Sequence, residues 1–112
     1  MNPFSWLSSQ FSGRRRSVSL LRRAMKRARA GDQEGAIADY SKLVDDDTNP
    51  ADVRAMALYN RALVLSAGAE TSKAISDLNR LLTMPEAKED VKTEARRKLE
   101  RMRLKTQRDQ RG

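Results

Sequence analysis

The sequence contains no cysteine and no histidine. Disulfides, zinc–thiolate sites, cysteine nucleophiles and imidazole bases are therefore excluded. It also has no glycine-rich phosphate loop and no base placed to activate a serine or threonine. These absences predict a protein that is not an enzyme, holds no metal or cofactor, and takes no small-molecule substrate.

Aromatic residues make up only 4% of the chain, and three prolines and five glycines leave few residues for tight turns. A core of alanine, leucine, valine, isoleucine and methionine is typical of helices rather than of many short strands. The length of 112 residues corresponds to one domain. No run of 18 apolar residues is present, so no membrane-spanning helix is predicted. The composition predicts an all-α domain.

The net charge of +8 is distributed unevenly. Residues 1–31 contain eight basic and no acidic side chains, whereas residues 32–91 contain six basic and twelve acidic ones. Residues 92–112 contain nine basic and three acidic side chains. This basic–acidic–basic order indicates that the ends contact an anionic partner, or that they complement the acidic middle of this chain or of a second copy.

Residues 1–16 form an N-terminal segment with three of the five aromatic residues, Phe4, Trp6 and Phe11, and it ends in three arginines. Ser12-Gly13 predicts a break, so we expect a flexible segment or a short separate helix. The acid-free, Arg- and Ser-rich composition of residues 1–31 is also typical of organellar targeting segments. We expect a cytoplasmic protein, because the same stretch carries the first amphipathic stripe of the domain. An organellar or membrane-peripheral location is the alternative.

Apolar residues three and four positions apart predict five amphipathic helices in residues 17–104. The first two form a unit over residues 17–47, and the next two form a unit over residues 50–84. The fifth, over residues 86–104, is expected to cap the array. Residues 105–112 contain no apolar side chain and are expected to be disordered.

Turn residues divide these helices. Gly31 and Gly68 are predicted to end the first helix of each unit. Asn49-Pro50 predicts the start of the third helix, with Asn49 as its cap and Pro50 as its first residue.

The two units repeat with an offset of 38 residues. Comparing residues 17–46 with residues 55–84 gives seven identical pairs, against about two for unrelated sequences of ordinary composition. The pairs are Leu20/Leu58, Arg23/Arg61, Ala24/Ala62, Ala36/Ala74, Ile37/Ile75, Asp39/Asp77 and Leu43/Leu81. A helix–turn–helix unit repeated at this length predicts a stacked helical array.

Residues 31–40, GDQEGAIADY, resemble the turn and second helix of a tetratricopeptide repeat. Residues 57–63 followed by residues 73–78 resemble a second copy, and the resemblance covers residues 17–85. Leu20 stands where the family has a tryptophan, and the period of 38 exceeds the family's usual 34 or so. The resemblance implies stacked antiparallel helix pairs, an α-solenoid fragment of about two and a half repeats.

The family resemblance further implies a scaffold-type module that binds another protein, in a groove lined by the first helix of each unit. The groove positions of the family fall here on Leu21, Arg22, Met25, Arg29, Met56, Tyr59, Asn60 and Leu63. A mixed apolar and basic strip fits an amphipathic acidic segment of a partner. The alternative is that several of these side chains pack against neighbouring parts of the chain, and self-association is a further possibility.

An acid-free cluster of basic side chains predicts a different function. Its members are Arg14, Arg15, Arg16, Arg22, Arg23, Lys26 and Arg27. Such a cluster binds nucleic-acid phosphates without sequence specificity, or an anionic membrane surface. It can equally pair with the acidic middle of the chain or form a solvated helix face, and the sequence leaves these readings open.

Overall fold

The computed structural model describes residues 5–111, with side chains from Ser12 onward. It contains five helices, α1 (Ser5–Arg29), α2 (Gln33–Val44), α3 (Ala51–Ala67), α4 (Thr71–Leu82) and α5 (Glu89–Arg111). No strand occurs in this part of the chain, so the predicted all-α class is confirmed. Phe4 and the side chains of Trp6 and Phe11 lie outside the described residues.

The helices form two layers. Each helix packs on the next in sequence, and α3 also contacts both α1 and α5. Within the described residues, α2 and α4 make no direct contact. The layer of α1, α3 and α5 is therefore backed by α2 and α4, and it presents one face of three helices to solvent.

The 38-residue offset also relates the two hairpins in space. Helices α2 and α4 both have 12 residues, and they begin 38 positions apart. Their cores correspond, because Ala36, Tyr40 and Leu43 are buried in α2 and the residues 38 positions later are buried in α4. Ala24, Ala62 and Ala95, on the three helices of the other layer, have no exposed surface. Such small side chains let neighbouring helices approach closely.

Both hairpins turn through one residue with positive φ. In the first hairpin this residue is Gly31, at 86°, in agreement with the prediction. In the second it is Ala69, at 65°, while Gly68 has an ordinary φ of −87°. Gly68 ends α3 as predicted, since it is the residue that caps the helix. The positive φ falls one residue later, so an alanine occupies a conformation that favours glycine.

The predicted break at Ser12-Gly13 is wrong, because α1 is continuous from Ser5 to Arg29. Ser17 lies inside this helix, and its hydroxyl donates to the carbonyl of Gly13 at 3.0 Å. The same hydroxyl lies 2.6 Å from Oδ1 of Asn49, next to the start of α3. The helix thus continues through Gly13, although a glycine inside a helix costs about 1 kcal/mol, and Ser17 links this part of α1 to the residue before Pro50.

The bounds of α3 and α5 also differ from the prediction. Helix α3 begins at Ala51, and the side chain of Asn49 donates instead to the carbonyl of Leu43 at 3.0 Å. Helix α5 begins at Glu89 and continues to Arg111, so the expected disordered tail is helical up to that residue. Residues 103–111 are rich in Lys, Arg and Gln, which favour helix without burial.

Candidate protein-binding groove and basic face

The solvent-facing side of α1, α3 and α5 contains two adjoining hollows. The first, of about 390 Å³, lies between α1, α3 and the start of α5. The second, of about 430 Å³, lies between α3 and α5. Met56, Asp90 and Val91 line both. We call the two hollows together the α1–α3–α5 groove.

Several of the predicted groove residues lie at these hollows. Leu21 lines the first hollow, Met56 lines both, and Tyr59 lines the second. All three are half-buried. Their apolar surface is therefore partly open to a ligand.

The remaining predicted groove residues lie outside the two hollows. Met25 and Leu63 are half-buried, and Arg22 and Arg29 are exposed. The amide of Asn60 donates to the carbonyl of Met56 at 2.8 Å, so it is bonded within its own helix.

Sequence reasoning missed the contribution of α5 to the groove. Val91, Glu94 and Arg97 line the hollow beside Tyr59. The family resemblance ends at residue 85, so it gave no groove positions on α5. The usable signal was the apolar stripe of α5 itself, in which Val91 is the member nearest the groove.

Tyr59 is the aromatic side chain of the groove. Burial raises the pKa of its phenol, and the neighbouring carboxylate of Glu94 raises that pKa further, while Arg101 acts in the opposite direction. The hydroxyl therefore stays protonated at physiological pH. Tyr59 offers a partner an apolar ring and a hydrogen-bond donor at the same position.

An ion pair lines the first hollow of the groove. Arg14 of α1 donates from both terminal nitrogens to Asp52 of α3, at 3.0 and 2.8 Å. The hydrogen bond from Arg14 holds the pKa of the Asp52 carboxyl below its usual value, against the opposing effect of burial. The pair joins the N-terminal half of α1 to the start of α3.

Two buried carboxylates hold the hairpins together. Asp39 of α2 is 1% exposed and accepts from Arg23 at 2.9 and 2.8 Å and from Arg27 at 3.0 Å. Asp77 of α4 accepts from Arg61 of α3 at 2.8 and 2.7 Å. Each pairing joins the first helix of a hairpin to the second, at positions 38 residues apart.

The basic cluster of the sequence is thus divided. Arg14, Arg23 and Arg27 bind carboxylates of residues 32–91, as one of the open readings anticipated. Among residues 12–111, no carboxylate lies within 4.0 Å of the charged groups of a second set. These exposed side chains, which we call the basic face of α1, are Arg15, Arg16, Arg22, Lys26 and Arg29.

The described residues contain neither a metal-binding cluster nor a membrane-spanning helix. No group of three or more carboxylates close enough to hold a metal ion occurs in residues 5–111. In the same residues, no helix is long and apolar enough to cross a bilayer.

Comparison with known proteins adds no relative. No protein-family model matches the chain, and no curated protein or solved structure matches it. Because a fold by itself does not determine function, the groove and the basic face carry the functional interpretation.

Proposed function

We propose that this protein is a non-catalytic helical-repeat module of tetratricopeptide type, which binds an amphipathic helix of another protein in the α1–α3–α5 groove. The observation that carries the proposal is the groove itself, in which half-buried apolar side chains of three helices surround two joined hollows. Amphipathic helices are bound in this way, through apolar anchors placed in an apolar groove.

The spacing of the groove residues supports this kind of ligand. Val18 and Leu21 on α1 correspond, 38 positions later, to Met56 and Tyr59 on α3, and all four line the hollows. Two helices therefore present apolar side chains at corresponding repeat positions, and Val91 of α5 lines the same hollows. A helix with apolar residues at i, i+3 or i+4, and i+7 has these residues on one face, and that face packs on such a surface.

Charge at the groove edge supports an acidic partner. Arg22 and Arg29 of α1 are exposed beside Leu21 and Met25 and have no carboxylate within 4.0 Å among residues 12–111. Acidic side chains along one edge of a bound helix complement these cations. Such complementarity acts mainly on orientation and association rate.

The buried ion pairs support binding by a preformed groove. Arg23 with Asp39, and Arg61 with Asp77, fix α1 and α3 on the helices behind them. The groove helices are then already in place before a ligand arrives. A ligand loses less of its binding free energy when the site requires no ordering.

Site-specific photo-crosslinking tests the proposal. Tyr59 is replaced by p-benzoylphenylalanine in one protein, and the exposed Asn79 of α4, in the opposite layer, is replaced in a matched control. Irradiation in native lysate is expected to crosslink one protein at position 59 and not at position 79.

The crosslinked segment decides the result. It is expected to contain acidic residues and helically spaced apolar residues, and to bind the isolated chain as a synthetic peptide. Equal crosslinking at both positions, or a peptide whose affinity is unchanged by Met56→Ala, contradicts the proposal.

A further inference from the structure

The basic face of α1 is a continuous line of charge. Arg15, Arg22, Lys26 and Arg29 follow one another at intervals of seven, four and three residues, which places them on one side of the helix. At 1.5 Å per residue, this line is about 21 Å long. Like charges so close together destabilise a helix, and residues 1–31 contain no acid to relieve them.

Helix α5, the other terminal helix of the array, has local ion pairs that the basic face of α1 lacks. On α5, Lys92, Arg97 and Arg103 pair with glutamates three positions earlier, at 4.0, 2.7 and 3.7 Å. Other exposed cations of α5, such as Arg96 and Arg101, have no carboxylate within 4.0 Å among residues 12–111. The basic face of α1 therefore differs from α5 in having no local ion pair at all among the described residues.

A hollow of about 380 Å³ lies against this face, lined by Arg15, Arg16, Ser19, Leu20 and Arg23. Arg23 donates to Asp39 through Nε and Nη2, so Asp39 leaves the Nη1 donors unused. Guanidinium groups and a hydroxyl around one hollow match the acceptor oxygens of a phosphate group. The hollow adds a concave phosphate position to the line of charge.

Two observations on α1 and the shape of B-form DNA favour one class of polyanion. Residues 12–30 contain no aromatic side chain on which a base of a single strand stacks. Within residues 12–29, the apolar side of α1, with Leu20 and Leu21, packs on the domain, so this described part of the helix has no free apolar face to insert into a lipid surface. By contrast, the major groove of B-form DNA is wide enough to admit a helix, and phosphates flank it on both sides.

We propose that the basic face of α1 binds the phosphate backbone of double-stranded DNA without reading its sequence. Arg15, Arg22, Lys26 and Arg29 contact successive phosphates, and Arg16 and Ser19 hold one phosphate in the hollow. This site shares Arg22 and Arg29 with the edge of the α1–α3–α5 groove, but it uses none of the apolar groove residues and does not depend on the protein partner proposed above.

Fluorescence anisotropy with a labelled 20-base-pair DNA duplex tests the proposal. The test protein carries Arg15→Gln and Lys26→Gln, which lie away from the groove edge. The control carries Lys42→Gln and Arg80→Gln, two exposed cations of α2 and α4, and it has the same net charge as the test protein. Circular dichroism melts verify that both variants fold.

The full chain is expected to bind the duplex with an affinity that falls steeply with salt concentration. The test variant is expected to bind about tenfold or more weakly and to show a salt slope smaller by about two. The control variant is expected to match the unmodified chain.

Four results overturn the proposal. The first is no binding to the duplex, and the second is an equal loss in both variants. The third is tighter binding of single-stranded DNA or of an RNA duplex of the same length. The fourth is binding to phosphatidylserine vesicles in preference to DNA.

Discussion

Arg61 donates two hydrogen bonds to Asp77, at 2.8 and 2.7 Å, and Arg23 donates two to Asp39 at the positions 38 residues earlier. Both pairs link helices of one hairpin across 16 positions of sequence. Two of the seven identities between the repeats are therefore the two ends of a single interaction. The repeat preserves an Arg–Asp ion pair between two helices as well as a pattern of apolar residues.

Removing one residue of the Arg61–Asp77 ion pair is expected to destabilise the protein strongly. The side chains of Arg61 and Asp77 are only 16% and 9% exposed, so Arg61→Ala leaves a carboxylate without its counterion in the interior. The expected loss is about 3 kcal/mol in the free energy of unfolding, measured by urea denaturation.

A double variant tests how much of this loss comes from the unpaired charge and how much from lost packing. Because a buried ion pair replaced by apolar side chains of similar volume is often no less stable, Arg61→Met with Asp77→Leu is expected to recover most of the loss. If Arg61→Ala alone costs less than about 1 kcal/mol, Asp77 is not held as the structure has it.

Acid is expected to weaken the ion pair between Arg23 and Asp39. The hydrogen bond from Arg23, together with the charges of Arg23 and Arg27, holds the pKa of Asp39 below its usual value, although burial opposes this. A carboxyl with a lowered folded-state pKa stabilises the fold above its unfolded pKa of about 3.9, and this contribution is lost as the pH falls through the lower, folded value.

Urea midpoints measured from pH 7 down to pH 2 check the acid effect. The unmodified chain is expected to lose stability below about pH 4, and Asp39→Asn is expected to start less stable and fall less steeply. Identical slopes in the two proteins would show that Asp39 does not contribute.

The turn of the second hairpin offers a stabilising substitution. Ala69 has a φ of 65°, which costs a non-glycine residue roughly 1 to 2 kcal/mol. Ala69→Gly removes this strain but also increases the conformational entropy of the unfolded chain, which lowers stability. The net effect is expected to be a rise of about 1 kcal/mol in the free energy of unfolding. Gly31→Ala, at the matching turn, is expected to lower it. A destabilised Ala69→Gly variant contradicts the assigned turn geometry.

The N-terminal half of α1 is expected to depend on Arg14. Its pair with Asp52 is exposed, so Arg14→Ala is expected to change the global free energy of unfolding little. Hydrogen exchange around residues 12–17 is nevertheless expected to accelerate, because the pair joins this part of α1 to α3. Arg15→Ala, one residue away and without an ion pair among residues 12–111, is the matched control. Equal exchange in the two variants would exclude a role for the Arg14 pair.

Apolar periodicity and the repeat predicted the fold class well, because both express the burial of one side of each helix. The same signals did not predict that α1 crosses Gly13 without a break. That continuity depends on contacts between distant residues, such as Ser17 with Asn49. Helix ends decided by tertiary contacts are not encoded in local turn residues.

The candidate site was predictable on α1 and α3 but not on α5. Met56 and Tyr59 were found by the family resemblance, which stops before Val91. The sequence also did not predict which cations of the basic cluster form ion pairs. It showed that Arg23 and Asp39 recur in the repeat, but not that they are in contact. Pairing of charges is a property of the packed hairpins, and it determines which cations remain free.

Binding of a partner in the α1–α3–α5 groove is tested by affinity purification from nuclease-treated native lysate. Three proteins are immobilised in parallel, the unmodified chain, Tyr59→Ala and the control Asn79→Ala, after thermal melts have verified that each is folded. Bound material is compared after washes at low and at high salt. One protein is expected to survive high salt on the unmodified chain and on Asn79→Ala and to be lost from Tyr59→Ala. Retention that is the same on all three proteins, or that disappears at high salt from all three, would contradict binding in the groove.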